Sequence, residues 1–211
     1  MSEHAGLRAR KKERTRQVLS DTAIAMFLAD GFDRVSVADI AAAAEVSKPT
    51  LFRHFAAKED LILHRIADHQ GEAGRVVRDR RSGETPLAAL HRHFRAGLDA
   101  REPVTGLCDV PEVLAFHRLV FDTPTVATRV AEYGAADTSA LAEALADAVP
   151  APPLAPRLIA AQIIAVQQTL SRNNWAELAA GRTAAEVYPA AVEAADLAFS
   201  LLSGGAEVLG Y

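Results

Sequence analysis

Two helix starts crowd together behind one long helical stretch, and that arrangement constrains the chain more than any other feature. Ser36 precedes Val37-Ala38-Asp39-Ile40-Ala41, with an acid three residues on in a weaker form of the capping box. Ser47 precedes Lys48-Pro49, and proline suits the first turn of a helix, where its missing N–H costs nothing. Upstream, Leu19, Ala23, Met26 and Phe27 recur at the spacing of one helix face, and Gly31 stops that helix. The spacing predicts a first helix over 7–30, a second ending near Ala43, and a third anchored by Leu51 and Phe55. Val46 fills the turn between the second and the third. With Leu51 and Phe55 inward, Pro49, Thr50 and Arg53 point away from the anchor, while Phe52 and His54 flank it. Two short helices joined by a tight turn form a helix-turn-helix pattern, whose second helix can enter a major groove.

Charge follows the same division. Residues 1–65 hold 11 basic against 9 acidic groups, whereas the remainder holds 12 against 18, within a net charge of −4. Arg8, Arg10, Lys11, Lys12, Arg14 and Arg16 crowd one short stretch with a single acid, Glu13. A basic head on an acidic body suits a polyanionic partner.

Beyond residue 58 the spacing remains helical, with strand signals nearly absent. Helices are expected near 59–80, 86–100, 103–118, 124–148, 155–180 and 184–203, broken at Ser82-Gly83, Pro103, Pro124, the loop of Pro150, Pro152, Pro153 and Pro156, and Gly181. One cysteine, Cys108, cannot form an internal disulfide, which fits a reducing compartment. No apolar run approaches the roughly 18–20 residues that span a bilayer, and no signal-peptide core follows the basic start, so a cytoplasmic, soluble protein is expected. His91 and His93 are two apart, and His64 and His69 five apart, so neither pair shares a helix face, and no metal or cofactor is expected. No nucleophile elbow, P-loop or dinucleotide fingerprint points to an enzyme.

The stretch from Phe32 to Leu61, FDRVSVADIAAAAEVSKPTLFRHFAAKEDL, resembles the DNA-binding domain of the TetR family of bacterial transcriptional regulators. The resemblance rests on Gly31-Phe32, Ser36-Val37-Ala38-Asp39-Ile40-Ala41, Val46-Ser47, Leu51-Phe52-Arg53-His54-Phe55 and Lys58-Glu59-Asp60-Leu61, and covers roughly residues 10–65. It implies an all-α fold, with a three-helix DNA-binding domain over 1–57 and a larger helical ligand-binding and dimerisation domain over 58–211. It implies that Ser36 and Val37 meet a phosphate at the start of the second helix. Lys48, Pro49, Thr50, Phe52 and His54 would lie on the recognition helix, Arg53 would reach a phosphate or a guanine edge, and Lys58 would bind backbone phosphate. Two positions depart from the pattern. Glu45 stands where many members have glycine, at a place that favours positive φ. Phe52 stands where many have tyrosine, which removes a phosphate-bonding hydroxyl.

The same resemblance implies a homodimer formed through the last two helices, a ligand-responsive repressor on a palindromic operator, and release by a small, largely apolar effector. The residues are compatible with that expectation. Leu158, Ile159, Ala161, Ile163, Ile164 and Val166 make one late helix apolar nearly all round, and Ala190, Ala191, Ala194, Ala195 and Ala198 allow close approach on the next. Phe94, Leu98, Phe116, Phe121, Gln167 and Trp175 are candidate effector contacts, being rings, polar tips or bulky side chains on apolar helices. A helical small-molecule carrier or scaffold without DNA function remains the alternative.

Overall fold

Helix α1 (Ser2–Asp30) ends where Gly31 turns to positive φ and donates its N–H to Phe27 O at 2.9 Å. The computed structural model describes the backbone of residues 2–66 and 69–206 and the side chains of 10–66 and 69–205. Among the described residues there is no strand. The α-helices after α1 are α2 (Val37–Ala43), α3 (Lys48–His54), α4 (Asp60–Leu63), α5 (Glu72–Arg78), α6 (Pro86–Asp99), α7 (Pro111–Asp122), α8 (Pro124–Ala148), α9 (Ala155–Ala179) and α10 (Ala184–Ala206). The chain divides into two compact units, Met1–Asp68 with Ala115–Val130, and His69–Leu114 with Ala131–Tyr211.

The first unit is built on the predicted stripe. Leu19, Ala23 and Phe27 of α1, joined by Ile24 where the expected Met26 is only half-buried, are buried against Ile40 and Ala41 of α2, Leu51 of α3, Phe55, and Leu61 and Ile62 of α4. Burying such side chains contributes roughly 1.5–3 kcal/mol each. Ser20 is fully buried yet satisfied, its hydroxyl donating to Leu61 O at 2.7 Å. Phe116, Val120 and Val126 complete this cluster, and Arg129 pairs with Asp60 at 2.9 Å. The division differs from a boundary at 57/58, because Leu61 and Ile62 are spent on the core of the first unit.

In the second unit α10 packs on α6 and α9, and α5 packs on α6. Its core holds Val77, Leu90, Phe94, Leu98, Leu107, Leu141, Leu145, Ile163, Val187 and Phe199. Two expected helices prove to be broken. The stretch expected at 59–80 stops at Leu63 and resumes at Glu72, after Gly71 in the left-handed region at φ 71°. The stretch expected at 103–118 is a 3-10 turn, Pro103–Thr105, closed by Gly106 at φ 74°, with α7 beginning only at Pro111. A residue before proline favours extended backbone, so Val110 separates the two pieces.

Candidate nucleic-acid interface

The turn between α2 and α3 is fixed by caps at both helix starts. Ser36 Oγ accepts from Asp39 N at 3.1 Å, and Asp39 Oδ2 accepts from Ser36 N at 2.9 Å, the full reciprocal box. The Ser36 hydroxyl also donates to Asp39 Oδ2 at 2.6 Å. These bonds hold the Asp39 carboxyl below its ordinary range. The hydroxyl and N–H of Ser36 are therefore both engaged with Asp39, while Val37 is half-buried against the core. Ser47 Oγ accepts from Thr50 N at 3.2 Å and starts α3, with Pro49 in its first turn.

Between these caps Glu45 sits at φ 54°, and Val46 closes the turn by donating its N–H to Ala41 O at 2.9 Å. Holding a residue with a Cβ in the left-handed region costs about 1 kcal/mol relative to glycine. Glu45→Gly is accordingly expected to raise the stability of the first unit by about 0.5–1 kcal/mol. A urea unfolding curve that moves to lower denaturant in this variant would contradict the assigned turn.

Helix α3 is pinned by Leu51 and Phe55, both almost wholly buried, so its other face is left outward. Lys48, Pro49, Phe52 and Arg53 are exposed, and Thr50 and His54 are half-buried. The Phe52 ring is 46% exposed, unusual for a phenylalanine beside a complete core, and Lys48 Nζ lies 6.0 Å from its centre. His54 ends the helix. Burial lowers its pKa first, and the nearby charges of Arg53, Lys12 and Arg16 lower it further, so the imidazole is neutral at pH 7.

Two cations hold this element in ways that a linear reading does not disclose. Arg16 of α1 donates to His54 O at 3.4 Å and lies 4.9 Å from the Phe55 ring centre, so it closes the C-terminal end of α3. Sequence reasoning placed Arg16 only in the basic arm, although it lies on the same helix face as Leu19 and Ala23. Lys58 is half-buried; its ammonium donates to Phe32 O and sits 4.1 Å from the Phe32 ring centre and 5.3 Å from that of Phe27. It thereby ties the α1–α2 loop to the start of α4. An ammonium has three donors, so these contacts leave part of it for another partner.

An open groove of about 560 Å³ runs beside the turn, with Arg10, Lys11, Arg14 and Thr15 on one wall and Ala44 and Val46 on the other. The exposed Arg10, Lys11, Lys12 and Arg14 give this side of the first unit a strong positive bias. The side chain of Arg8 lies outside the described residues.

The six candidate effector residues are not brought together in one unit. Phe116 and Phe121 belong to the packing of the first unit. Phe94 and Leu98 are buried in the core of the second, with Gln167 and Trp175 half-buried on α9. A cavity of about 190 Å³ in the second unit is lined instead by Leu87, Leu158, Ile159, Gln162, Ile163 and Leu202, with Ala155 and Gly205. Among the described residues no cluster of three or more His, Cys, Asp or Glu is arranged for a metal ion. His69 and His93 both hydrogen-bond Glu72, at 2.8 and 3.0 Å, and chiefly the bond from His93 draws the Glu72 carboxyl down to about 2. His91 meets Asp196 at 2.7 Å. No described helix is long and apolar enough to cross a membrane.

This geometry has counterparts among known proteins. The HTH-type transcriptional regulator TcmR of Streptomyces glaucescens is 40% identical over 129 residues, which are 61% of this chain and 56% of TcmR, so the match spans little more than half of that relative. The structure resembles that of NalD, the secondary repressor of the MexAB-OprM multidrug efflux pump in Pseudomonas aeruginosa, with a TM-score of 0.58 at 17% identity over 89% of this chain and 96% of NalD. It also resembles Salmonella enterica GusR, with a TM-score of 0.55 at 21% identity over 90% and 94% of the two chains. Residues 19–64, from the buried Leu19 to the end of α4, match the family model for bacterial regulatory proteins of the tetR family. Over this N-terminal stretch the chain is similar to the bacterial regulatory proteins of the tetR family.

Proposed function

We propose that the protein is a homodimeric transcriptional repressor that binds a palindromic operator and is released by a small, largely apolar effector. The observation that carries this reading is the outward face of α3, where Lys48, Pro49, Phe52 and Arg53 stand exposed on a helix whose opposite side is locked in the core. A helix held this way can enter the major groove while neighbouring cations meet phosphates. The basic stretch of α1 and the Lys58 ammonium supply that charge, and Arg53 reaches a phosphate or a guanine edge. Val37, Thr50 and His54 line the same turn and helix, and a neutral His54 can accept as well as donate a hydrogen bond there.

Pairing through α9 and α10 is supported by the apolar side chains that they leave exposed, Leu158, Leu197 and Leu201, beside the small Ala161, Ala165 and Ala190. Effector binding is assigned to the second unit, where Phe94, Leu98, Gln167 and Trp175 are the candidate contacts. An effector drives release only through a difference in affinity between the DNA-bound and released arrangements of the dimer.

Fluorescence anisotropy against duplexes from the region upstream of the protein's own gene tests the reading. Arg53→Ala combined with Lys58→Ala is expected to weaken binding at least tenfold, each lost contact costing about 1–3 kcal/mol. Loss of Lys58 alone is expected to lower the slope of log affinity against log salt by about one. Binding that is indifferent to salt and to both substitutions would favour a helical carrier without DNA function.

A further inference from the structure

The chemistry of α3 narrows what its operator must offer. A major groove presents hydrogen-bonding edges and, at thymine, a 5-methyl group. Adenine is read best by Asn or Gln, cytosine by Asp or Glu, guanine by Arg or Lys, and the thymine methyl by apolar contact. Helix α3, Lys48–His54, contains no Asn, Gln, Asp or Glu. Its exposed groups are two cations, Lys48 and Arg53, and two apolar side chains, Pro49 and Phe52.

Thr50 joins the apolar set for a specific reason. Its hydroxyl lies 2.8 Å from Ser47 Oγ, the same oxygen that accepts its backbone N–H at 3.2 Å. The hydroxyl is thus tied to the cap, either oxygen being able to donate in that bond, and the γ-methyl is the apolar part of Thr50 available to a partner. Phe52, with no hydroxyl, presents only a ring, 46% exposed and flanked by Lys48 at 6.0 Å. Pro49 and Phe52 are three residues apart and share one helix face with Arg53.

We infer that α3 reads its half-site through pyrimidine 5-methyl groups, by way of Pro49, the Thr50 methyl and the Phe52 ring, while Arg53 and Lys48 take guanine or phosphate. The inference rests on the DNA-binding reading above and goes beyond it in naming the groups that are read. It has a sharp chemical consequence. Pro49, the Thr50 methyl and the Phe52 ring carry no hydrogen-bonding group, so at positions they contact alone the O4 acceptor of thymine and the N4 donor of cytosine are not told apart. 5-Methylcytosine therefore substitutes for thymine at the contacted positions, and plain cytosine does not.

The test uses the native full-length chain. A random duplex pool is selected against it, and the enriched duplex is resynthesised with each thymine replaced in turn by deoxyuridine, which lacks only the methyl. Affinity is expected to fall roughly fourfold for each contacted methyl. At those positions a 5-methylcytosine·guanine pair is expected to bind several-fold tighter than a cytosine·guanine pair. Thr50→Ser keeps the hydroxyl for Ser47 and removes the methyl, so it is expected to abolish the deoxyuridine penalty at one position and leave the others. Deoxyuridine equal to thymine at every position overturns the inference alone, as does 5-methylcytosine equal to cytosine. A pool in which no duplex is enriched overturns the DNA-binding reading and the inference together.

Discussion

Gly106→Ala is expected to destabilise the second unit by more than about 3 kcal/mol, the largest effect of any one-carbon change in the chain. Gly106 sits at φ 74°, and a Cβ added there would fall 2.0 Å from the Ser171 carbonyl oxygen of α9. The loop cannot slide aside cheaply. Ser171 Oγ donates to Val104 O at 2.6 Å, and the buried Asn174 donates to Thr105 O at 2.9 Å, so the turn is bonded to α9 just before the glycine. On the other side Leu107 is fully buried in the core. Relief of the clash would break these bonds or lift Leu107, and an unpaired buried polar group alone costs about 1–3 kcal/mol. Gly83→Ala is the control. Gly83 has nearly the same backbone, φ 80°, but a Cβ there meets nothing within 4 Å, so only the backbone cost of about 1 kcal/mol is expected. Urea unfolding of the two variants separates close approach from conformation; equal losses would remove the clash from the explanation.

The contrast between these glycines marks what was legible in the sequence. Ser36, Ser47 and Pro49 announce helix starts because capping is chemistry within three residues, and the structure shows those caps. Leu19, Leu51 and Phe55 announce a core because helical period is local too. Glu45 could be suspected of positive φ because it stands where many members of the resembled family have glycine, and it adopts φ 54°. Gly106 could not be weighed, since its constraint is a carbonyl on α9, distant in sequence. For the same reason Lys58 was legible as a surface cation but not as a strut beneath Phe27 and Phe32. α5 begins only after Gly71 in a left-handed turn, a glycine that the helical reading of 59–80 passed over. The candidate effector residues suffered most. A ring on an apolar helix fits a pocket or a core equally well, and Phe116 proves to be spent on the core of the first unit.

On the proposed pairing through α9 and α10, Leu197→Glu with Leu201→Glu is expected to convert the dimer to monomers and to weaken operator binding by about a hundredfold or more. Both leucines lie on α10, one helical turn apart, and they are 63% and 74% exposed, the two most solvent-exposed large apolar side chains described. Neither supports the core of its own unit, which α10 contributes through Val187, Ala191, Ala195 and Phe199 on another face. The double variant is therefore expected to keep its helicity and unfolding midpoint, so that a loss of association is not a loss of fold. Buried carboxylates facing each other across a symmetric contact would cost several kcal/mol, enough to dissociate a standard interface. Operator binding falls with it because, in the proposed two-headed mode, each head reads one half-site. Joining two heads makes the second contact intramolecular, which is worth 10² to 10⁴ in affinity at typical effective concentrations. Leu197→Met with Leu201→Met keeps volume and apolar character and is expected to remain dimeric. Sedimentation velocity and anisotropy on one preparation read both quantities. A glutamate variant that stays dimeric moves the pairing surface away from this face of α10, and one that becomes monomeric yet binds the full operator as tightly as before removes the two-headed mode of recognition.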